Sequence, residues 1–469
     1  KQMKNMKKRT RWILMFVVVF AMLTVMMAGC KQTTPQVSDT SGEETELLPK
    51  LDITDTKITV LSQSAAENFT ATIELVNELY GLEPEYIAVS WTDLGTKIAQ
   101  LVLGGTPPDI YYARTRDFPL LAKKNILEPL DEIIDFSNPM FDRSEKTLKN
   151  VTYNGQIYAA TSKGNNGHVM WYNEKLFSDA GLETPRELFA KDEWDWDSYL
   201  NAAIEITDAE SGIYGGAGLR ALDWWLTTGK DVITFDDQGY PVRLDKDPDI
   251  MAAMEFWRQL SVGKYNVYSP ELSPVEQFKQ GKIGMMIDGI WLASTQLADM
   301  FIADEANFAP MPRYPSSDKT SQWGVYTALA IGKGAKNIEG AKGYIYANML
   351  SGNGTDEQKE SIPKLKEVMD ANRKNQVEVL KYDEEDLAML ESLSNVDLVF
   401  EESEKVAGYC DYVEWVLCKP MRDEGKSWLT QVEIQDEWLQ DMIDVYIEDV
   451  LHAGTSQASS GASESASQG

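Results

Sequence analysis

Short apolar strands and amphipathic helices alternate in the first part of the chain. The β-branched run at 57–62 predicts a strand, and the apolar positions after it have helical spacing: Phe69, Ile73, Val76 and Tyr80. A second strand is predicted at 85–89, a second helix at 94–102 and a third strand at 109–113. This alternation is typical of a parallel sheet with helices on both faces. Ligands bind such sheets at the carboxyl ends of the strands, so we expect a site in the loops after Leu61 and Tyr112.

Helices dominate the later part of the chain. Apolar periodicity predicts helices at four ranges, 248–260, 338–349, 356–378 and 432–451. Strands are predicted between them at 283–287, 307–311 and 326–331. The turn residues Asp236-Asp237-Gln238-Gly239 separate two apolar runs and predict a hairpin of 232–235 with 240–244.

Length and composition indicate more than one hydrophobic core. A single core seldom serves more than ~250–300 residues, and this chain has 469, of which 43% are hydrophobic and 10% aromatic. Its formal net charge of -30 argues against a nucleic-acid partner, because phosphate binding needs a basic surface. With two His and three Cys, a His/Cys metal cage is nearly excluded. We therefore expect no metal and no cofactor.

The first thirty residues have the pattern of an export signal. Six basic residues precede Trp12, and 12–29 carry no charge before Cys30. We predict a signal peptide at 1–29 and a polar tether at 30–50, with an uncleaved membrane anchor as the alternative. Met27-Ala28-Gly29-Cys30 resembles the lipobox of bacterial lipoproteins, and this resemblance implies lipid modification (palmitate) of Cys30. Without 1–29 the charge is -36, so a lipid rather than a basic patch would hold the chain at the membrane. The Ser-, Ala- and Gly-rich tail at 453–469 is predicted to be disordered.

Several motifs occur in an order that resembles a known family. They are Met27-Ala28-Gly29-Cys30, Leu103-Gly-Gly-Thr-Pro-Pro-Asp-Ile110, Tyr153-Asn-Gly-Gln-Ile-Tyr158, Trp171-Tyr-Asn-Glu-Lys-Leu-Phe177, Glu193-Trp-Asp-Trp-Asp-Ser198 and Phe278-Lys-Gln-Gly-Lys-Ile-Gly-Met-Met-Ile-Asp-Gly-Ile-Trp291. The first resembles the lipobox of bacterial lipoproteins. Together they resemble the family 1 extracellular solute-binding proteins, the maltose-binding-protein-like lipoproteins of ABC sugar importers. The resemblance covers about residues 50–350.

The resemblance implies an α/β fold of two lobes, each a sheet flanked by helices, joined by hinge strands. We assign 51–162 and 328–385 to the first lobe and 163–327 and 386–452 to the second. It also implies a monomer on the outer side of the cell membrane. Its lobes would close over a carbohydrate by hinge motion, and the closed form would dock on an ABC transporter permease.

The candidate ligand contacts are aromatic rings and polar side chains. A sugar presents C–H groups to a ring face and hydroxyls to polar groups. Two adjacent tryptophans, Trp224 and Trp225, cannot both face one core, so we expect one of them to be exposed beside Asp223. The resemblance assigns a sugar-stacking ring to Trp291, which follows a strand and Asp288, and Trp323 lies at the expected hinge. The polar candidates are Gln63, Ser64, Arg114, Asn165 and Asn166.

Three questions stay open at the level of sequence. A secreted glycosidase would need two carboxylates ~5–9.5 Å apart, and we find no paired motif for them. We therefore predict that the protein is not an enzyme. A receptor for a peptide or another solute would pair charges rather than stack rings. A disulfide between Cys410 and Cys418, eight residues apart, would need a bend in the chain between them.

Overall fold

The computed structural model describes residues 47–452 except 219, 237, 271 and 272. All of these residues lie in one compact unit, Glu46–Gly469. Its strands in chain order are β1 Lys57–Ser62, β2 Glu83–Ala88, β3 Ile110–Ala113, β4 Thr152–Tyr153, β5 Gln156–Ile157, β6 Ala160–Thr161, β7 Asn165–Asn166, β8 His168–Asn173, β9 Tyr214–Ala217, β10 Ile233–Phe235, β11 Pro241–Arg243, β12 Ile283–Gly289, β13 Ala306–Ala309, β14 Ser321–Val325, β15 Ala328–Ala330 and β16 Asp397–Val399.

The α-helices alternate with these strands in the first part of the chain and dominate the last. In chain order they are α1 Thr70–Tyr80, α2 Leu94–Leu103, α3 Leu120–Lys123, α4 Glu145–Leu148, α5 Glu174–Ala180, α6 Pro185–Phe189, α7 Trp196–Ile206, α8 Leu222–Leu226, α9 Pro248–Ser261, α10 Pro274–Lys279, α11 Ala298–Ile302, α12 Ile338–Asn353, α13 Asp356–Glu360, α14 Pro363–Lys374, α15 Glu384–Leu393, α16 Tyr409–Tyr412, α17 Cys418–Glu424, α18 Trp428–Ile434 and α19 Asp436–Tyr446.

The first lobe is built on a five-stranded sheet in the order β2-β1-β3-β15-β6. The strand β1 pairs in parallel with both β2 and β3, and β15 returns antiparallel to β3. Between β1 and β2, α1 ends at Gly81, whose φ of +66° is the left-handed conformation that glycine adopts at little cost. The core between sheet and helices includes Val60, Val76 and Tyr344. The predicted strand–helix alternation of this lobe is confirmed.

The second lobe is built on a four-stranded sheet in the order β13-β8-β12-β9. The strand β8 pairs antiparallel with β12 and β13, and β9 runs parallel to β12. Helices cover both faces, one with a core that contains Trp194 and Trp257, the other with a core that contains Trp171 and Phe301. The predicted hairpin is also present, as the antiparallel pair β10–β11. The fold is the predicted two-lobed α/β architecture.

Two antiparallel chain segments cross between the lobes and form the hinge. One runs from β6 through β7 to β8, and the other runs back from β14 to β15. They pair directly, because β7 is antiparallel to β14, and the Ser162 amide donates to the Thr327 carbonyl at 2.9 Å. The strand β16 pairs in parallel with the other edge of β14. The sequence predicts crossings at these places.

A third crossing occurs earlier than the proposed lobe boundary at 385/386. The side chain of Met369 packs against the first-lobe core, whereas Leu380 and Tyr382 pack in the core of the second lobe. Tyr382 lies with its ring centroid 4.9 Å from that of Phe301. The chain therefore changes lobe between 369 and 380. Sequence periodicity could not show this, because an apolar stripe does not say which core will bury it.

Proline and bends divide two segments that were predicted as single helices. The predicted helix 356–378 is α13 and α14, because the ring of Pro363 cannot continue a helix from the preceding turn. The predicted helix 432–451 is divided at Gln435 between α18 and α19. Across the described residues, no helix combines the length and apolarity needed to cross a bilayer. Cys30 and the predicted signal peptide and tail lie outside the described residues, as does nearly all of the tether.

The two described cysteines are free thiols. Cys410 and Cys418 are both buried, and no disulfide joins them. They lie in α16 and α17, with one wide helical turn, Val413–Leu417, between them. Burial raises the pKa of both thiols well above the ordinary value, and nearby negative charges, Glu401 at Cys410 and Glu414 at Cys418, act in the same direction. Both are therefore held in the neutral form.

Candidate functional site

A cavity of about 760 Å³ lies between the lobes, with the hinge strands along one side. Its lining divides into three sets. The first lobe contributes Gln63, Trp91, Thr92 and 112–116, the hinge contributes 323–328, and the second lobe contributes Arg220, Phe400, Glu401, Glu404, Cys410, Asp411, Glu414 and Trp415. The loops after β1, β2 and β3 all reach this cavity, so it lies where the carboxyl ends of the parallel strands meet.

The first-lobe wall is organised around a buried ion pair. A short turn, Thr115–Asp117, follows β3, and the Asp117 carboxylate accepts from the Arg114 backbone amide at 2.8 Å and from its Nη2 at 2.7 Å. The Arg114 guanidinium also donates to the Trp91 carbonyl and lies 5.4 Å from the centre of that indole ring. At Gly95 a Cβ atom would lie 2.9 Å from Arg114 Nη2 and 3.0 Å from Asp117 Oδ1, so any larger residue there would have to displace this ion pair. Arg114 is thus fixed, and Trp91 is held at the rim with 46% of its surface exposed.

The second-lobe wall contains a buried carboxyl group that joins three side chains. Glu401 follows β16, is 8% exposed, and accepts a hydrogen bond of 2.9 Å from the indole nitrogen of Trp323. Its other oxygen lies 3.5 Å from Arg220 Nη2 and 3.6 Å from Cys410 Sγ. Desolvation, with the negative charge of Glu404 next in importance, raises the pKa of Glu401 to about 8. Asp231 and Asp223 raise this pKa further, and Arg220 opposes them.

A second buried carboxyl group supports the helix that carries Asp223. Glu414 accepts from the backbone amide of Leu222 at 2.6 Å, near the start of α8. Desolvation raises the pKa of Glu414 to about 7, against the opposing charge of Arg220. The Arg220 side chain keeps 36% of its surface exposed. This guanidinium therefore rests on buried acidic groups and can still offer N–H donors to a ligand.

Direct contacts join the two lobes at the edge of the cavity. The Arg116 guanidinium of the first lobe pairs with Glu404 of the second and lies 3.8 Å from Asp411. Beside it, the Thr115 hydroxyl is 3.0 Å from the hydroxyl of Tyr326 in the hinge. Within the described part of the chain, no group of three or more His, Cys, Asp or Glu side chains could hold a metal ion. The geometry is that of a polar, aromatic-lined cleft between two hinged lobes.

The model of the bacterial extracellular solute-binding protein family matches residues 62–351 of the chain. The chain belongs to this family. The predicted resemblance is therefore confirmed, and the matched range begins at the end of β1 and extends into α12. A comparison with curated protein sequences finds no significant match.

Solved structures of other solute-binding proteins share the fold at low sequence identity. The sugar-binding protein MalE from Xanthomonas citri has a TM-score of 0.61 and 14% identity, over 83% of this chain and 98% of its own. UgpB from Mycobacterium tuberculosis, in complex with glycerophosphocholine, has a TM-score of 0.60 and 16% identity, over 84% of this chain and 100% of its own. Lmo0181 from Listeria monocytogenes, in complex with cycloalternan, has a TM-score of 0.59 and 18% identity, over 83% of this chain and 99% of its own.

The cleft of this solute-binding protein contains three of the predicted ligand contacts. Gln63, Arg114 and Trp323 line the cavity. Ser64 lies next to Gln63, but its backbone is held by the Ser62 hydroxyl and it is not part of the lining. Asn165 is an exposed residue of β7, whose backbone pairs with Val325, and it too is outside the lining.

The expectation that Trp224 or Trp225 is exposed is wrong, because both indoles are completely buried. The helix α8 has neighbours on all sides, so the two adjacent rings enter different parts of one core. The Trp224 indole donates to the Tyr268 hydroxyl at 2.9 Å, and that of Trp225 donates to the Asp231 carboxylate at 3.1 Å. Asp223 is also buried, with its carboxylate 2.6 Å from His168 Nδ1. All three residues are therefore buried in the second lobe and do not line the cavity.

Trp291 lies near the cleft without lining it in this structure. It lies two residues after β12, is 46% exposed, and its ring centroid is 6.1 Å from that of His168. The His168 ring in turn packs edge-on against Trp323 at 4.4 Å. Asp288 accepts from the adjacent Gly289 amide, so its carboxylate stabilises the local turn.

None of the second-lobe lining was predicted as a ligand contact from the sequence, and neither was Trp91 of the first lobe. Trp91 follows β2, and the same rule of strand ends would have found it had that loop been considered. By contrast, 401–415 follow a short strand in a segment of mixed helical turns, and no local pattern distinguishes them. Glu401, Glu414 and Trp415 reach the cleft only because β16 pairs with the hinge strand.

The raised pKa of Glu401 predicts how stability depends on pH. The folded protein binds this proton more tightly than the unfolded chain, so the stabilisation is complete at pH 4 and is lost as pH rises towards 8. Replacing Glu401 with glutamine, which can still accept from Trp323, should flatten the fall in melting temperature between pH 5 and pH 8. Part of the fall should remain, because Glu414 and Asp231 also have raised pKa values, to about 7 and about 6. Equal slopes for wild type and Glu401→Gln would contradict the assignment.

Proposed function

We propose that the protein captures a carbohydrate in the interlobe cleft and delivers it to the permease of an ABC transporter. The observation that carries this proposal is the pair of exposed indoles on opposite walls. Trp91 of the first lobe and Trp415 of the second are 46% and 57% exposed, and both line the cavity. Large aromatic side chains that remain exposed in a cleft favour a ligand with flat C–H faces.

The polar groups of the cleft match the hydroxyls of such a ligand. Gln63 and the guanidinium of Arg220 provide N–H donors, and the Asp411 carboxylate provides acceptors, with 60% of its side chain exposed. The cavity of about 760 Å³ lies within the range of small-molecule sites, ~300–1,000 Å³. Closure about the hinge would bring the walls onto the ligand from both sides. The cleft therefore suits a neutral sugar of one to a few rings.

The solved structures supply the ligands that the first experiment should compare. One of the similar proteins is in complex with the sugar cycloalternan and another with glycerophosphocholine. A thermal-shift screen of the purified protein against neutral oligosaccharides and glycerophosphocholine tests the proposal. Calorimetry then measures the Kd of each compound that raises the melting temperature. A ligand at ~100 times its Kd adds ~2.7 kcal/mol of stability. Stabilisation by glycerophosphocholine or peptides alone, with none by any carbohydrate, would overturn it.

We further propose that the protein binds its sugar without cleaving it. The buried carboxyl groups Glu401 and Glu414 are committed to Trp323, Arg220 and the Leu222 amide, so neither is free to attack a glycosidic bond. Prolonged incubation with each oligosaccharide that binds should leave it intact. Hydrolysis beyond the amount of protein, abolished by replacing one Asp or Glu of the cleft, would favour a glycosidase instead.

The mature protein is proposed to be a monomer attached to the outer face of the membrane through lipid on Cys30. The small pair Ala28-Gly29 before Cys30 and the uncharged run before it support this attachment. Replacing Cys30 with serine should release the protein from the membrane fraction, because a charge of -36 gives the rest of the chain no attraction to anionic lipid. Fractionation and N-terminal sequencing measure this. Full membrane retention of Cys30→Ser with residues 1–29 still present would favour the uncleaved anchor.

A further inference from the structure

The helix α19 carries two apolar stripes, although a helix on a protein surface needs only one. Leu439, Ile443 and Tyr446 follow the spacing i, i+4, i+7 and are buried against the second-lobe core. Trp438, Met442 and Val445 repeat the same spacing one residue earlier, about 100° around the helix. Trp438 is 62% exposed and Val445 is 59% exposed, whereas Met442 between them is partly buried against the same core. Ile434, the last residue of α18, is 64% exposed. We name Ile434, Trp438, Met442 and Val445 the C-terminal apolar stripe.

An acidic flank borders this stripe on the solvent side. Glu437, Asp441 and Asp444 again follow the spacing i, i+4, i+7, and all three are exposed. Within the described residues, none of the three forms an ion pair with a Lys or Arg side chain. The whole segment 427–452 contains seven acidic residues and no Lys or Arg. A partner that covers the stripe must therefore bring its own positive charge.

The other available occupants do not match this chemistry. The segment 453–469 begins directly after the last described helical turn, but it contains only Ala, Gly, Thr, Ser, Gln and Glu and cannot cover an indole. A second copy would place one acidic flank near another, which opposes association. An anionic lipid surface is repelled for the same reason. The remaining occupant is a protein surface that presents apolar side chains bordered by Lys or Arg.

We propose that the C-terminal apolar stripe is a docking surface for a part of the membrane permease that presents apolar side chains bordered by Lys or Arg. This inference rests on the proposed function for the existence of that partner. The stripe lies on the lobe that also contributes Trp415 and Glu401 to the ligand cleft, so a partner seated on it holds the second lobe directly. The helices α18 and α19 also pack on the same core that buries Trp224 behind the cleft. Docking here would attach the permease to the lobe that provides one wall of the cleft.

The first test is photo-crosslinking in cells that contain the chain's own transporter. Trp438 is replaced by p-benzoylphenylalanine in the full-length protein, and the crosslinked product is identified by mass spectrometry. The expected product joins this chain to an integral membrane subunit of an ABC importer. A product between two copies of this chain, a product with lipid, or no product overturns the proposal. The same photo-reactive residue at Ile204, 43% exposed on α7, is the matched control and should give no permease product.

The second test separates the apolar stripe from its charge. Trp438→Glu should reduce ligand import about tenfold or more, the effect of removing an interface hot spot, while leaving the Kd of the purified protein for the same ligand unchanged. The double variant Glu437→Lys/Asp441→Lys keeps the stripe and should reduce the crosslink yield from position 438 severalfold. The control variants Ile204→Glu and Glu205→Lys change neighbouring exposed residues of α7. They should leave both ligand import and the crosslink yield from position 438 unchanged. Import at the wild-type rate by Trp438→Glu overturns the proposal.

These outcomes distinguish a failure of docking from a failure of the proposed function. If the purified protein binds no carbohydrate and Trp438 still crosslinks to an ABC permease, the docking surface stands and the ligand assignment fails. If carbohydrate binds and the Trp438 position gives no permease product, the ligand assignment stands and the docking surface fails. Melting temperatures of all the variants within a few degrees of wild type show that each result reports binding rather than folding, since the replaced side chains are exposed.

Discussion

Replacing Trp415 with alanine is expected to weaken carbohydrate binding by about thirtyfold or more, a hot-spot loss of ~2 kcal/mol. The indole lines the interlobe cavity and keeps 57% of its surface exposed, so it has a face available for the ligand. The unfolding free energy of the empty protein should change little, because an exposed ring takes small part in the core. The two measurements are calorimetric Kd for a sugar that binds and chemical denaturation of the ligand-free protein.

Trp291 provides the comparison for this result. Its ring is also about half exposed, at 46%, but it lies beside His168 and outside the cavity lining. Trp291→Ala should likewise leave stability nearly unchanged. A loss of affinity on the same scale would show that the ligand extends beyond the cavity to the end of β12. Unchanged affinity would show that the ligand contacts only the walls that carry Trp91 and Trp415.

If Trp415→Ala binds the sugar as tightly as wild type, the proposed stacking site is wrong.

Replacing Trp224 with alanine is expected to have the largest effect on stability, a loss of ~3–5 kcal/mol. The ring is fully buried and packs against Trp196, Tyr199 and Phe256 at centroid distances of 5.9, 4.9 and 4.9 Å. Its removal leaves a cavity and also deprives the Tyr268 hydroxyl of its indole donor. Denaturant unfolding monitored by circular dichroism measures the change.

The control for Trp224→Ala is Trp415→Ala, since both remove one indole from the second lobe. A similar loss of stability in the two variants would contradict the structural distinction between a core ring and a cleft ring. Ligand affinity gives the opposite comparison. At temperatures where Trp224→Ala remains folded, its Kd for the sugar should stay closer to wild type than that of Trp415→Ala, because Trp224 does not reach the cavity.

The first-lobe half of the site could be predicted from the sequence, and the second-lobe half could not. Gln63 and Arg114 follow strands whose β-branched runs are visible in the sequence, and the ends of parallel strands meet at one edge by geometry. Glu401 and Trp415 reach the cleft through the pairing of β16 with β14, which joins positions more than seventy residues apart. A local pattern contains no information about such a pairing.

The strand–helix alternation of the first lobe, the hairpin, the two-lobed fold class, the acidic charge and the family were determined by the sequence alone. Each depends on periodicity, composition or motifs that occupy neighbouring positions. The tertiary structure decided which tryptophans are buried. Trp224 and Trp225 were expected to divide between core and solvent, yet both are enclosed because α8 is covered on every side, whereas Trp91 and Trp415 remain at the cleft. The burial of a side chain depends on which other segments pack around it. For an indole, these segments come from distant parts of the chain, so the residues next to it in sequence do not determine its burial.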